Sequence, residues 1–226
     1  MRRLIILVLV LATAYGGYWF YGRSALEDGI AQALRGAEGG RYDIAYSDWG
    51  VQGFPSRFDT TFEAPQIADR LSGLEWSAPW LRIFALSYRP NEVIAVLPEE
   101  QSLSLGGQPF TLFTNDMRAS AKVGANTDLS FERATLEIQN PRLRAGDGSE
   151  LAMAHLLAAA RANPDTDNGY DLYLDAQSIV LPQWLRDVLD PDATLPPWIR
   201  QFRADSAAPL SRAAGRPAGG GRPVPP

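Results

Sequence analysis

The chain has 226 residues, with 21 Lys and Arg against 26 Asp and Glu and a formal net charge of −5. This acidic balance argues against a nucleic-acid partner, since binding to a phosphate backbone requires a basic face. The chain has no cysteine and one histidine, His155. Disulfides, thiol chemistry and metal sites built from several histidines of one chain are therefore excluded.

A charge-free apolar segment occupies residues 4–22, directly after Arg2 and Arg3. About 20 helical residues cross a bilayer core of ~30 Å, so residues 1–22 are predicted to form a transmembrane signal anchor. Five aromatic side chains near its outer end are typical of an interfacial belt. The alternative is a signal peptide cleaved after Ala14, because an Ala-Thr-Ala pattern precedes that bond. In both interpretations the arginines stay in the cytoplasm and the remainder of the chain is exported.

A second helix is predicted directly after the anchor. Ser24 and Glu27 have the spacing of a capping box, and apolar residues then recur at helical spacing until Gly36. The segment from Ala25 to Arg35 is therefore predicted to be an amphipathic helix on the membrane surface.

The apolar period changes from 3.6 to 2 after Arg41, which predicts strands. Alternating segments around residues 42–46 and 58–62 are predicted to form a hairpin with the sequence WGVQGFPS as its connection. The aromatic residues of this connection, Trp49 and Phe54, are predicted to close the core. The alternative is that they line the mouth of an apolar groove.

Short alternating segments continue to about residue 139, separated by turn signals that contain Gly, Pro and Asn. One helix is predicted from Ser149 to Asn163, and it is expected to pack across the sheet because it consists mainly of Ala and Leu. A strand from residue 169 and two short helices, PQWLRDVLD and PPWIRQFRAD, follow. The sequence thus predicts an α+β, mainly β fold, with a curved antiparallel sheet in a domain spanning residues 23–205. Residues 206–226, rich in Ala, Gly, Pro and Arg, are predicted to be disordered.

No catalytic motif is found in the sequence. His155 has no acid or serine at helical spacing in the predicted helix, and a satisfied histidine explains it better than a catalytic base does. The segment NPDTDNGYD (163–171) lacks the Gly and Glu that a calcium loop requires at its sixth and twelfth positions. The sequence therefore predicts no enzyme, no metal and no cofactor.

Several local sequences carry a resemblance to a known family. Gly53-Phe54-Pro55 with Arg57, the sequence WSAP at 76–79 and the sequence YRPN at 88–91 are its most specific marks. With the Arg-led anchor and the later LPQWLRDVL and LPPWIRQF, they make the chain resemble the bacterial DUF2125 family (domain of unknown function 2125), which is grouped with AsmA-like proteins. Members are usually longer, so the resemblance implies that this chain is the N-terminal part of a longer domain and that its tail is a truncation or frameshift product.

The resemblance implies an uncharacterised single-pass protein of the bacterial inner membrane with a periplasmic β domain. AsmA-like proteins are associated with envelope lipid homeostasis, which leads to the first hypothesis, lipid handling or envelope biogenesis through an apolar β groove. The expected groove residues are Phe84, Leu86, Tyr88, Ile94, Val96 and Phe113. The second hypothesis is a periplasmic scaffold that binds another envelope protein through an edge strand or the region of Trp184 and Trp198. Phospholipid or an envelope protein is accordingly the expected partner, besides the membrane.

Overall fold

A computed structural model describes residues 1–37, 39–124, 130–163, 169–192, 194 and 196–209, with the backbone alone at 207–209. In these ranges the chain consists of one long N-terminal helix, one short helix and a large antiparallel sheet. The predicted class, α+β and mainly β, is confirmed.

The N-terminal helix, α1, is one continuous helix from Arg2 to Ala37. It is long and apolar enough to cross a membrane, and its apolar N-terminal portion is exposed. The prediction of a separate amphipathic helix starting at Ser24 is wrong, because Ser24 continues the helix and caps nothing. Cleavage after Ala14, which lies within α1, stays a prediction.

The strands are short and numerous, and nearly all of them pair in antiparallel hairpins. They are β1 (Tyr42–Ala45), β2 (Asp48–Gln52), β3 (Arg57–Glu63), β4 (Gln66–Asp69), β5 (Leu74–Ser77), β6 (Trp80–Leu86), β7 (Arg89–Leu97), β8 (Glu100–Leu105), β9 (Gln108–Phe113), β10 (Asp116–Val123), β11 (Phe131–Gln139), β12 (Arg142–Ala145), β13 (Glu150–Ala152), β14 (His155–Ala162), β15 (Gly169–Val180) and β16 (Trp198–Pro209). The second helix, α2, is Gln183–Leu189, where a helix was predicted.

The sixteen strands are the pieces of a simpler meander. Besides the hairpin turns, only two residues separate one strand from the next at seven places along the described chain. These residues are 46–47, 64–65, 78–79, 98–99, 114–115, 140–141 and 153–154. These breaks, which we call the crease, lie side by side and bond to one another, as in the hydrogen bonds from Ala64 N to Pro79 O and from Asn140 N to Ala154 O, both 2.9 Å. Four breaks contain a proline, which cannot donate to a ladder.

The crease divides the sheet into two halves. The first half runs β2-β3-β6-β7-β10-β11-β14-β15, and the second runs β1-β4-β5-β8-β9-β12-β13 and joins β15. Ala64 and Asn140 have positive φ values of 47° and 49°. Such residues act as bulges that reorient a strand and change which residues face each side. Long strands with aligned breaks thus make one sheet with two differently oriented halves.

Gln101 connects the apolar faces of the two halves at the crease. Its side chain is 1% exposed. Its Oε1 accepts a 2.8 Å hydrogen bond from the Trp76 indole on the apolar face of the second half. Its Nε2 donates to the Pro98 carbonyl oxygen and to the Sδ of Met117, which lies on the apolar face of the first half. The two apolar faces therefore meet on the same side of the crease.

The helix predicted from Ser149 to Asn163 is wrong, because this segment forms β13 and β14. Alanine and leucine favour a helix in isolation, but β14 pairs along its whole length with β11 on one side and β15 on the other. Two ladders of backbone hydrogen bonds outweigh a propensity of a few tenths of a kcal/mol per residue.

Two further boundaries differ from the prediction. The predicted hairpin exists, but its first strand is β2, so that Trp49 lies within a strand and the connection is only residues 53–56. Residues 42–45 pair instead with β4. The segment PPWIRQFRAD contains the start of strand β16, which continues past Asp205 to Pro209. The rest of the predicted disordered tail lies outside the described residues.

Candidate functional site: an apolar trough on the sheet

An open cavity on the first half of the sheet is lined by small apolar side chains. Six neighbouring strands each contribute two side chains to it. Twelve of the residues that line it, which we call the trough, are Val93, Ala95, Ala119, Ala121, Ala134, Leu136, Ala158, Ala160, Leu172, Leu174, Ala204 and Ser206. Ser120, Thr135, Ala159 and Tyr173 also line the cavity, but strand alternation places their side chains on the opposite face.

The strand register arranges these twelve residues in two continuous rows. The first row runs from β7 to β16 as Ala95, Ala119, Leu136, Ala158, Leu174 and Ala204. The second row runs in parallel as Val93, Ala121, Ala134, Ala160, Leu172 and Ser206. Five spacings of about 4.8 Å make each row about 24 Å long. The backbone of the strands lies close to the surface of the cavity, because most of these side chains are the single methyl groups of alanine.

The trough has a volume of about 670 Å³, within the range of about 300–1,000 Å³ typical of small-molecule sites. One Ser206 hydroxyl is the only polar side chain in the two rows. Apolar side chains such as Leu172, which is 43% exposed, remain open to solvent. A surface of this size and composition is typical of a binding site for an apolar group.

A third row closes the trough toward the crease. It consists of Leu97, Met117, Ile138, Leu156, Ala176 and Phe202. Ile138 and Ala176 are 5% and 4% exposed, so the middle of this side is packed, whereas Phe202 at the β16 end is 50% exposed.

Helix α1 covers the same apolar face at the other end. Trp19 packs with Val51 and Phe58, and all three are buried. Val51 and Thr60 continue the first trough row through Ile83 to Ala95. The apolar face is thus continuous from the part under the helix to the open trough on β7–β16.

The opposite face of the same strands is charged. Phe84, Ile94 and Val96, three of the residues predicted to form the groove, lie on this face and not in the trough. Val96 pairs with Arg82 and Arg118. A row of charges crosses the face as Glu92, Lys122, Arg133, Arg161 and Asp171. Phe84 lines a separate polar cavity, and the Arg57 guanidinium lies 5.7 Å from its ring centroid.

The other three predicted groove residues lie elsewhere. Leu86 ends β6, and Tyr88 is in the turn to β7, where its side chain is 63% exposed. Phe113 ends β9 in the second half of the sheet. The guanidinium groups of Arg142 and Arg144 lie 5.5 and 5.2 Å from its ring. Phe84, Ile94 and Val96 therefore lie together on the charged face, and none of the six predicted groove residues lies in the trough.

A signal for the correct face was present in β10. Its residues alternate between Arg118, Ser120 and Lys122 on one face and Met117, Ala119 and Ala121 on the other. The neighbouring β7 is apolar on both faces, so it cannot assign the face by itself. The pairing of β7 with β10 assigns it, since Ala95 lies opposite Ala119.

Asp175 fastens the last strand of the trough from the opposite face. The carboxylate is 3% exposed, and its Oδ2 accepts hydrogen bonds from Arg203 Nε at 2.9 Å and Gln201 Nε2 at 2.7 Å, both on β16. Hydrogen bonds from Arg203 and then from Gln177 and Gln201 outweigh desolvation and lower the pKa of Asp175 to about 2. The group is held as an ion in a structural network.

His155 lies on β14, and its Nε2 is 3.1 Å from Glu137 Oε1 on β11. The sequence could not show this partner, because the sheet and not a helix brings the acid close. Among the described residues no cluster of three His, Asp or Glu side chains could hold a metal. Residues 164–168 of the loop compared with a calcium site lie outside the described ranges.

The outer end of the apolar part of α1 docks onto two turns of the first half. The hydroxyl groups of Tyr15 and Tyr18 lie 3.1 Å from Ser87 Oγ and 2.7 Å from Ser87 O. The Trp19 ring packs edge-on against Phe54, with centroids 5.3 Å apart. Trp49 stacks on Phe62 at 6.0 Å and packs against the buried cluster of Trp19, Val51 and Phe58, whereas Phe54 is 56% exposed and contacts the helix from outside the core. Of the five aromatic residues predicted to form the belt, four contact the domain and Tyr21 is 77% exposed.

A comparison with protein families gives a match to the family described as an uncharacterized protein conserved in bacteria (DUF2125), over residues 19–222. The match starts at Trp19, which anchors the helix to the sheet. Neither the curated proteins nor the solved structures contain a match to the chain. Because the family match covers most of its length, the chain belongs to the bacterial DUF2125 family.

Proposed function

We propose that this protein is a single-pass inner-membrane protein whose periplasmic β domain holds the acyl chains of phospholipid in the trough. The observation that supports this proposal most directly is the pair of rows on β7–β16, in which aliphatic side chains face the cavity over six strands. The charged residues of the same strands point to the other face. The sheet therefore separates an apolar binding surface from a soluble exterior.

The dimensions of the trough support an acyl chain as its ligand. Each row is about 24 Å long, whereas one leaflet of a ~30 Å hydrocarbon core is about 15 Å thick. Burial of each methylene contributes about 0.8 kcal/mol. Alanine side chains leave the backbone floor accessible, so a flexible chain can contact it along its length. We propose that the relationship to AsmA-like proteins expected from the sequence reflects the same role, in envelope lipid handling.

The membrane placement rests on α1. Arg2 and Arg3 precede its apolar segment, and positive residues favour the cytoplasmic side. The segment after the helix, which forms the whole sheet, is then periplasmic. Docking of Trp19 and its aromatic neighbours holds the sheet directly at the end of the anchor.

We also place the protein among binding proteins rather than enzymes. The most strongly perturbed described carboxylates, Asp69 and Asp175, are held in hydrogen-bonded ion pairs with Arg41 and Arg203. Such networks keep a carboxylate ionised and fixed, as a structural role requires. An assay of purified protein for phospholipid hydrolysis would test this; turnover that disappears with a His155→Ala substitution would contradict it.

Adjacent alanines of β14 provide a matched test of lipid binding. Ala158 faces the trough between Leu136 and Leu174, whereas Ala159 faces the other side between Thr135 and Tyr173. The full-length protein is purified in a detergent that strips loosely bound lipid, and its organic extract is quantified by mass spectrometry. We expect about one phospholipid per chain or more in the wild type and in Ala159→Phe, and severalfold less in Ala158→Phe. A folded wild type without lipid, or equal lipid in both variants, would contradict the proposal.

A second candidate function is a scaffold, which the open strand β16 favours. Among the described strands β16 pairs only with β15, and Trp198 and Phe202 are 46% and 50% exposed. A cavity between α2 and the start of β16 is lined by Leu181, Leu189 and Trp198. An edge strand with exposed aromatics can accept a strand of another envelope protein. A photo-crosslinker at Arg200, on β16, would then give one specific protein adduct in cells and leave bound lipid unchanged; the absence of any adduct would contradict it.

A further inference from the structure

The turns at Phe54 and Ser87 contact α1 at residues that lie within about 30 Å of Arg3 along the helix. This distance is the thickness of the hydrocarbon core. Tyr15 is twelve residues after Arg3 and Tyr18 fifteen, which places them about 18 and 22 Å along the helix. The hydrocarbon core is ~30 Å thick. If Arg3 lies at the cytoplasmic boundary, both tyrosines lie below the periplasmic boundary of an upright helix. A tilted helix gains less height per residue, so tilt places them deeper.

Ser87 is attached to both tyrosines and must share their depth. Its side chain is completely buried, and its polar groups have partners. The Ser87 N–H donates to Ser56 O at 2.9 Å, the carbonyl oxygen accepts from Tyr18, and the Oγ pairs with Tyr15. Backbone polar groups at membrane depth need such internal partners, because lipid offers none.

The side chains around Ser87 match the chemistry of the membrane interface. Phe54, Leu86 and Tyr88 extend from the two turns and are 56%, 38% and 63% exposed, and Phe20 of α1 lies beside Phe54 with ring centroids 5.8 Å apart. We call these four residues the aromatic tip. Aromatic rings concentrate at the level of the lipid headgroups. The exposed Arg89 directly after Tyr88 is suited to lipid phosphate.

We infer that the aromatic tip is inserted into the interface of the same bilayer that α1 crosses. The sheet is then fixed on the membrane by the turns at 53–56 and 86–88, and not only tethered by a helix. This inference rests on the membrane placement given in the proposed function. The first half of the sheet, which carries the trough, is the half whose turns meet the lipid.

Site-directed spin labelling can measure the depth, because the chain contains no cysteine. Single cysteines are placed at Phe54 and Tyr88 in the tip, and at Leu71 in the turn between β4 and β5. Leu71 is a matched control, since it is an apolar turn residue that is 78% exposed. A label at Leu9 reports on the apolar segment of α1. The full chain is reconstituted in vesicles of phosphatidylethanolamine and phosphatidylglycerol, and the labels are compared for collisions with oxygen and with a water-soluble nickel chelate.

We expect the labels at Phe54 and Tyr88 to be shielded from nickel severalfold more than the label at Leu71, and the label at Leu9 to be shielded most. Substitution of both Tyr15 and Tyr18 by phenylalanine should make the label at Tyr88 more accessible to nickel. Equal nickel access at Tyr88 and Leu71, with Leu9 shielded, overturns the inference and leaves the anchor intact. Free nickel access at Leu9 overturns the anchor and the inference together. Neither result depends on whether the trough binds lipid.

Discussion

The indole nitrogen of Trp19 donates a 2.8 Å hydrogen bond to the backbone carbonyl oxygen of Arg57. Trp19 belongs to the long apolar helix and Arg57 begins a strand of the sheet, so this bond ties the anchor to the domain. The ring is 2% exposed and stacks on Phe58 at a centroid distance of 5.8 Å. The helix therefore completes the core at one end of the trough.

Trp19→Ala should destabilise the domain by about 3–5 kcal/mol, because it removes a buried aromatic ring and leaves a cavity. Trp19→Phe should cost about 1–3 kcal/mol, because the carbonyl oxygen of Arg57 loses its donor. Thermal unfolding of the protein in detergent, followed by circular dichroism, measures both. Tyr21→Ala is the control, since that side chain is 77% exposed. Equal stability of Trp19→Ala and Tyr21→Ala would contradict the docking.

Two glycines of α1 give a second test of the docked helix. A Cβ at Gly22 would lie 2.9 Å from Cζ of the buried Phe58 ring, whereas a Cβ at Gly17 would have no atom within 4 Å. Gly22→Ala should therefore lower the free energy of unfolding by about 1–3 kcal/mol. Gly17→Ala should leave it unchanged or raise it by up to about 1 kcal/mol, since Ala favours helices. Similar melting temperatures for the two variants would count against this packing.

Gln101→Leu should cost about 1–3 kcal/mol, because the Trp76 indole and the Pro98 carbonyl oxygen lose their partner at a buried position. Denaturant unfolding of the purified protein measures this loss. Gln108→Leu is the control at the exposed first position of β9 and should change stability by less than about 0.5 kcal/mol. A neutral Gln101→Leu would mean that the crease does not depend on this network.

The attachment of β16 should depend on acid. Because the pKa of Asp175 is lowered from 3.8 to about 2, its stabilisation is complete above about pH 5 and is lost as the pH falls from about 5 to below 2. The wild type should melt at a higher temperature than Asp175→Asn at pH 6. This difference should shrink steadily between pH 4 and pH 2. A difference of the same size at pH 6 and pH 2 would refute the role of the ionised carboxylate.

Much of the fold could be predicted from patterns along the chain. The apolar N-terminal helix, the period of 2 after Arg41 and the helix at 183–189 are visible from spacing alone. The crease is not visible as such, since Pro65, Pro79, Pro98 and Pro141 look like turns between hairpins. Their alignment depends on the strand register, which no single segment encodes.

The trough could not be placed because its face is a tertiary property. Ile94 and Val96 are the residues of β7 expected in the groove, whereas the trough is lined by Val93 and Ala95. Similarly, Ala158 and Ala160 were assigned to a helix by their propensity. Both errors arise from pairing with strands distant in sequence, which decides faces and overrides local preference.

The most direct test of the proposed function is photo-crosslinking of lipid in living cells at two exposed aliphatic positions. Leu172 is in the trough and is 43% exposed, and Ile94 is on the charged face and is 50% exposed. A benzophenone amino acid is incorporated at one position or the other, and adducts are identified by mass spectrometry. If the trough holds acyl chains, we expect phospholipid adducts at Leu172 and few or none at Ile94. Equal yields at both positions, or no lipid adduct at Leu172, would contradict it.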